Sequence, residues 1–456
     1  MRGWPFVLGA FIVLGVVSLF APTVPAAHHG GPIDTGDAAW MLCATTLVLL
    51  MTPGLSFFYG GMVRGKSVIS TMVQSFIAMG VVSVLWVVVG FSLAFGESIG
   101  GRGTGLIGNP LTFLFLRGVD GATEPDLAPT IPLALFALFQ LKFAIITPAL
   151  VSGSFAERVR FSSYLVFICL FTLLIYCPLA HWTWHPNGFL RTLGVLDFAG
   201  GSVVHMSSGL AALAGAMVLG RRKDHVRGRA NEPGNIPFVL LGTGMLWFGW
   251  FGFNAGSALS ASGTAAMAFL TTNTASAAAM LTWIMVDRVR GLKVSALGLC
   301  VGAVVGLVAI TPGAGYVSVG ASIFIGITAS LVSNYAVHYK SRSTLDDTLD
   351  VFPCHGVGGM FGMLATGVFA SAAVNPAGAD GLLHGGTHLF MAHVLALFVV
   401  AAYSFGGAWV LFRVTDWLTP LRVKEEQEAV GLDISQHGET AYPWKPRLGE
   451  VGGRSL

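Results

Sequence analysis

Two histidines stand inside apolar stretches of this chain, His205 in DFAGGSVVHMSSG and His355 in DVFPCHGVGG. An ionisable residue in such surroundings is costly and usually marks a pathway. A neutral imidazole offers a small solute both a donor and an acceptor. On a helix, Gly201, His205, Ser208, Ala212 and Gly215 follow steps of three and four, and His355, Gly359, Gly362 and Thr366 repeat the arrangement. Each histidine is therefore expected on a stripe of small residues, and two such stripes can approach until the imidazoles meet, one ring donating to the other. Asp197 stands eight residues before His205. It is expected to cap the helix start and to add a buried negative charge that favours a cation there.

A second constellation is aromatic: HWTW (His181 to Trp184), GWFGFNAGS (Gly249 to Ser257) and FQLKFA (Phe139 to Ala144). Tryptophans at helix ends commonly form the interfacial belt of a membrane protein. The alternative is a cation-π site, where ring faces hold a small ammonium-type ion.

The elements that must position these residues follow from composition. Of 456 residues, 54% are hydrophobic and 10% charged, and the mean hydropathy is +0.73; soluble domains carry roughly 25% charged residues. The chain reads as an all-α polytopic membrane protein, because spanning backbone must satisfy its own polar groups and no alternating barrel pattern occurs. Apolar segments at 37–61, 67–95, 129–155, 161–183, 197–220, 236–258, 262–286, 294–311, 318–339, 352–372 and 387–416 predict eleven transmembrane helices. Arg64 and Lys66, Arg158 and Arg160, Arg221 to Arg229, Arg288 to Lys293, and Lys340 with Arg342 fall in alternate loops, against Arg102, Arg117 and Arg191 in the others. That asymmetry predicts an N-out, C-in topology. Counted from Asp197, His205 lies about 12 Å into the membrane, whereas His355 is only about one turn inside its helix. The two meet only if the tenth helix begins within protein or below a water-filled vestibule. A small-flanked histidine in both the fifth and tenth helices suggests an inverted five-plus-five repeat followed by an eleventh helix.

Before the first span, residues 1–27 (MRGWPFVLGAFIVLGVVSLFAPTVPAA) have the basic start, apolar run and small residues, Ala26 and Ala27, of a cleavable signal peptide. Residues 28–416 then form the membrane domain and 417–456 a tail with an acidic helix pattern at Glu425, Glu426 and Glu428. The five cysteines are scattered singly and are expected to be packing residues. A net charge of +3 gives no reason to expect nucleic acid as a partner.

Over almost its whole mature length the chain resembles the ammonium transporter (Amt/Mep/Rh) family, through PGLSFFYGGMVR, FQLKFAIITPALVSGSFAERVRF, AHWTW, DFAGGSVVH, WFGFNAGS, ITPGAGYV, DVFPCHGVGG and GLDISQHGETAY. The paired histidines and the tail are similar to its bacterial Amt branch. The resemblance implies a homotrimer in the cell inner membrane with one pore per subunit and no cofactor. Trp184, Phe143 and Ser257 would recruit NH4+ (or methylammonium), Phe143 and Phe253 would gate, His205 and His355 would line the pore, and Asp197 would be the buried carboxylate. NH4+ would be deprotonated and conducted as NH3, with or without its proton. The tail would dock beneath a neighbouring pore and meet a PII-type signalling protein.

Lys142, directly before Phe143, departs from the family's uncharged residue; it either faces away from the pore or repels NH4+ at the gate. Two other functions fit the same residues. One is an ammonium sensor that scarcely conducts. The other is a membrane redox protein with haem held by two of His205, His355, His181 and His393.

Overall fold

The computed structural model describes residues 4–21, 30–100, 104–228 and 232–442. Among them α1 (Trp4–Ser18) is exposed at all its described side chains but Leu14, which is half-buried. Residues 22–29, which carry Ala26, Ala27 and the expected boundary at 27, lie outside the described residues. The helices that follow are α2 (Thr35–Met62), α3 (Val68–Phe95), α4 (Leu133–Phe155), α5 (Phe161–Thr192) and α6 (Gly201–Leu219). Then come α7 (Ile236–Gly256), α8 (Gly263–Val289), α9 (Ala296–Ile310), α10 (Val319–Ser341), α11 (352–369) and α12 (Thr387–Leu418). Several begin on a capping side chain: Asp34 accepts from the Asp37 amide, Asn235 from Phe238, Ser262 from Ala265 and Ser318 from Ala321.

A helix stands at each of the eleven expected stretches. Nine of those described are long and apolar enough to cross a membrane, which makes this a multi-pass membrane protein. The other two are shorter than expected. Helix α9 has 15 residues, about 22 Å at 1.5 Å per residue. Helix α11 has 12 regular residues behind a π-helical first turn, Phe352–Val357. Two starts also differ from the sequence reading. Helix α4 begins at Leu133 after Pro132, and α6 at Gly201 rather than at Asp197.

Helices α4 and α6 are the most enclosed, while α8, α10 and α12 turn large apolar side chains such as Met285, Phe324 and Phe398 outward. Helix α2 packs along α7, and α6 against α11. The first pair approaches so closely that a Cβ on Gly242 would lie 2.3 Å from the Phe58 amide nitrogen. Only glycine fits there.

At the end of the bundle opposite Trp184, buried charges knit the loops together. Glu157 accepts from the Arg64 amide and Nε at 2.8 and 2.9 Å and from Arg222 Nη1 at 2.8 Å. Asp346 accepts from Arg222 N, Nε and Nη2 at 2.8, 3.0 and 2.9 Å. Burial pushes the Asp346 carboxyl upward, but Arg158 and Arg222 outweigh it and hold the group well below the usual carboxylate range. A carboxyl depressed in this way contributes stability that is fully present above its unfolded value near 4 and is lost as pH falls through the folded value. Asp346→Asn is accordingly expected to cost about 3–5 kcal/mol, the magnitude of breaking a buried pair, and to flatten acid unfolding below about pH 4. Thermal unfolding across pH 3–7 checks both, and identical acid dependence in the two proteins would contradict the assignment.

The tail lies on this same network. Val423 N donates to Arg158 O and Arg160 N to Leu421 O. The short α13 (Glu425–Val430) exposes Glu425 and Glu426, as an acidic solvated helix should, yet buries Glu428, which accepts from Lys223 N at 2.8 Å and Arg422 Nη2 at 2.7 Å. Asp433 then accepts from Ser70 N at 2.8 Å, near the start of α3. Within the single chain the tail is thus anchored on its own loops.

Candidate functional site

The site is built on two short π-helical turns. Asp197 lies before the first: its carboxylate accepts from Gly200 N, Gly201 N and Ser202 N at 2.8, 2.6 and 2.7 Å, and from Ser202 Oγ at 2.5 Å. It caps the helix from three residues ahead of the cap position and so starts α6 four residues before His205. Asp347 does the same for α11, accepting from Val351 N at 3.2 Å and Phe352 N at 2.8 Å. Each carboxylate stands eight residues before its histidine. The shared spacing could have revealed Asp347 in the sequence.

Between these turns His205 and His355 meet, Nδ1 to Nδ1 at 3.3 Å, with ring centroids 5.4 Å apart. One Nδ1 must donate to the other. Both helices begin within protein, which removes the mismatch in depth that simple counting gave. The small-residue stripes play a different part from the one expected. Gly359 does face Gly201 and His205, but Gly201 packs on Pro312, Gly362 on Ala309 and Gly215 on Phe412. The closest approach is instead Gly209 to Gly356. A π turn carries more residues than an α turn, so the phase counted at steps of three and four does not carry through it.

His205 and His355 close one side of an enclosed cavity of about 10 Å³, otherwise walled by apolar side chains that include Leu55, Val204, Trp250 and Phe253. That is space for about one water-sized molecule. His205 Nε2 is buried and has no hydrogen-bond partner in the chain, although nearly all buried polar groups have one. Trp250, which the sequence reading counted with the belt tryptophans, stacks on His205 with centroids 5.2 Å apart and is fixed by Nε1 donating to Thr311 Oγ1 at 2.9 Å. It lies three residues before Phe253, on the same helix face.

A second, open cavity of about 360 Å³ is lined by Phe143, Trp184, Ser257 and Asp197, together with Gln140 and Tyr316, which the sequence reading did not single out. Trp184 meets Phe143 edge-on at 5.7 Å and donates Nε1 to Asp197 O at 3.0 Å. Ser257 donates its hydroxyl to Phe253 O at 2.8 Å, which leaves its oxygen lone pairs free. Between the cavities Phe143 and Phe253 stack at 4.1 Å with 25° between planes, both buried. One ring faces the open cavity and the other the enclosed one. Lys142 is buried but lines neither.

The structure brings Trp184, Phe143, Ser257, Phe253, His205, His355 and Asp197 onto one line through the bundle. It leaves His181 and His393 off it. His181 has Ala94 O at Nδ1 and Ser98 Oγ at Nε2, 2.9 and 2.8 Å away. His393 has Met363 O at Nδ1 and accepts from Leu196 N at Nε2. With both ring nitrogens occupied, neither has one to give to a haem iron.

The fold is one that solved structures share: Candida albicans Mep2 superposes with a TM-score of 0.82 at 38% identity, over 90% of each chain. The model of the Ammonium Transporter Family matches residues 39–442. The chain belongs to the ammonium transporter family. Its place is with transporters rather than enzymes. Among curated members of the ammonium transporter family, the ammonium transporter of Bacillus subtilis (strain 168) is 47% identical over 411 residues, 90% of this chain and 99% of that one. A structure titled "Sensor Amt Protein" matches at 29% identity and a TM-score of 0.79, over 88% of this chain and 98% of that one.

Proposed function

We propose that this chain carries ammonium inward across the cell inner membrane, taking up NH4+ at the aromatic cavity and passing NH3 through the enclosed one. The observation that carries the reading is the stacked pair Phe143 and Phe253, which divides an aromatic, carboxylate-bearing cavity from an apolar one ending on two imidazoles. The indole of Trp184 and the Phe143 ring supply cation-π attraction, and Ser257 Oγ supplies an acceptor for an N–H of NH4+. Moving bare NH4+ past the stack costs, in the idealised Born limit, tens of kcal/mol, against roughly a few for neutral NH3. Deprotonation at the stack is therefore the economical step. Beyond it NH3 finds His205 Nε2 as its hydrogen-bond partner. The proton either stays on the entry side or follows across the Nδ1 contact of the two rings.

The reading includes eleven crossings with the Trp184 end outside and the tail inside, a homotrimer, removal of residues 1–27 and a PII-type partner at the tail. The inverted five-plus-five repeat is supported by the pairing of α2 with α7 and α6 with α11, and by the equal spacing of Asp197 and Asp347 from their histidines. An ammonium sensor is the second reading, favoured by the likeness to the sensor Amt structure. An ammonium pulse on proteoliposomes loaded with a pH-sensitive dye separates the two. Entry of NH3 alone alkalinises the lumen faster than in protein-free vesicles, and entry with the proton gives a current on a supported membrane. Neither signal above the protein-free background would leave the sensor.

A further inference from the structure

Three charged side chains line the open cavity: Asp126, Asp197 and Arg191. The two carboxylates suit a site for a cation, and Arg191 runs against it. We infer that Arg191 is a specificity-determining residue of the entry site, whose fixed cation weakens the hold on NH4+ and promotes the loss of its proton. The inference rests on the transport reading above.

A tight local fold places the arginine there. Within α5 the regular turns end at Trp184, His185 is extended at ψ 138°, and Arg191 lies on the short turn Phe189–Thr192 that follows. The segment between folds back onto the helix end so closely that a Cβ on Gly188 would lie 2.1 Å from His181 O and 2.4 Å from Trp182 O. Arg191 Nη1 then donates to Trp184 O at 3.1 Å, one of the carbonyls that a helix end leaves without a partner in its own helix. The helix dipole favours a cation at that end.

No acid neutralises it. Arg191 has no carboxylate partner among the described residues, and the Asp197 carboxylate is engaged by the amides of Gly200, Gly201 and Ser202. Tyr316, on the wall of the same cavity, lies within electrostatic reach of both Arg191 and Asp197. This mouth must stay open to the entering ion in any assembly of subunits that transports, so Arg191 remains beside the ion's route.

A fixed positive charge raises the free energy of NH4+ in the cavity and leaves that of NH3 nearly untouched. When the N–H bond breaks, NH3 keeps the electron pair and moves past the stack, and the proton leaves to water on the entry side or along the imidazoles. The repulsion is relieved in that step. It therefore destabilises the bound ion alone, which raises the half-saturating concentration and the maximal rate together.

Ammonium flux into proteoliposomes of the full chain, measured against ammonium concentration, tests this. Arg191→Gln keeps an N–H for Trp184 O and removes the charge. At about 10 mM ionic strength its half-saturating concentration and its maximal flux are each expected to fall about threefold, the effect of about one kT of surface potential, with their ratio unchanged. In about 1 M salt, where the Debye length is about 3 Å, variant and wild type should coincide. Arg191→Lys should follow the wild type under both conditions. A half-saturating concentration that is unchanged or raised in Arg191→Gln would leave Arg191 as a support for Trp184 and overturn the inference. So would a difference that persists in high salt, or a lowered half-saturating concentration with unchanged maximal flux, since the charge would then repel the ion without helping it lose its proton. Absence of flux in the wild type would instead overturn the transport reading, and the inference with it.

Discussion

Asp197→Asn is expected to abolish ammonium flux and to destabilise the protein by roughly 3–5 kcal/mol. The carboxylate accepts from three backbone amides within 2.8 Å and from Ser202 Oγ. Asparagine keeps one oxygen and turns an NH2 toward N–H donors. At about 1.5–3 kcal/mol for each hydrogen bond to a charged group, losing two of them accounts for the figure. The loss is functional as well, because the same residue receives Trp184 Nε1 on its carbonyl and starts the turn that carries His205. A thermal scan in detergent and a flux assay in proteoliposomes read the two consequences. Wild-type values in both would show that the carboxylate neither holds the turn nor serves transport.

Gly209→Ala should be nearly as damaging, from one added methyl group. A Cβ there would lie 2.0 Å from Gly356 N and 2.3 Å from Gly356 Cα, both backbone atoms that have no rotamer to escape into. Helices α6 and α11 must separate by more than about 1 Å to restore contact distance, which costs about 1–3 kcal/mol or more. It also takes His205 and His355 beyond hydrogen-bond range from their present 3.3 Å. Flux is expected to fall at least about tenfold, the effect of an ångström-scale misplacement at a reacting centre. Gly406→Ala on α12 is the control, since a Cβ there meets nothing within 4 Å. Equal flux in the two variants would contradict the close approach.

Much of the site was legible because its residues sit in short apolar motifs whose chemistry is local. His205 and His355 could be named from type and position, and Trp184, Phe143, Ser257 and Phe253 from the motifs that resemble the ammonium transporter family. What was not legible depends on helix phase and on partners distant in sequence. The stripe through Gly201 and Gly215 followed a regular α period, and the π turns shift that period just where the histidines lie, so Gly209 and Gly356 became the seam. Trp250 looked like one more belt tryptophan until its ring lay on His205. The charge network joins Arg64, Glu157, Arg222 and Asp346 from four separate loops, and no local spacing announces such a set. Glu428 read as part of a solvated acidic helix, and only the position of Lys223 and Arg422 explains its burial.

Uptake of methylammonium or ammonium into proteoliposomes by the double variant Trp184→Leu/His205→Asp tests the proposed path most directly, because it removes the recruiting ring and replaces one pore imidazole together. The expected result is flux indistinguishable from protein-free vesicles, with the variant still folded by thermal scan. Wild-type flux through the folded double variant would contradict the path through Trp184 and His205.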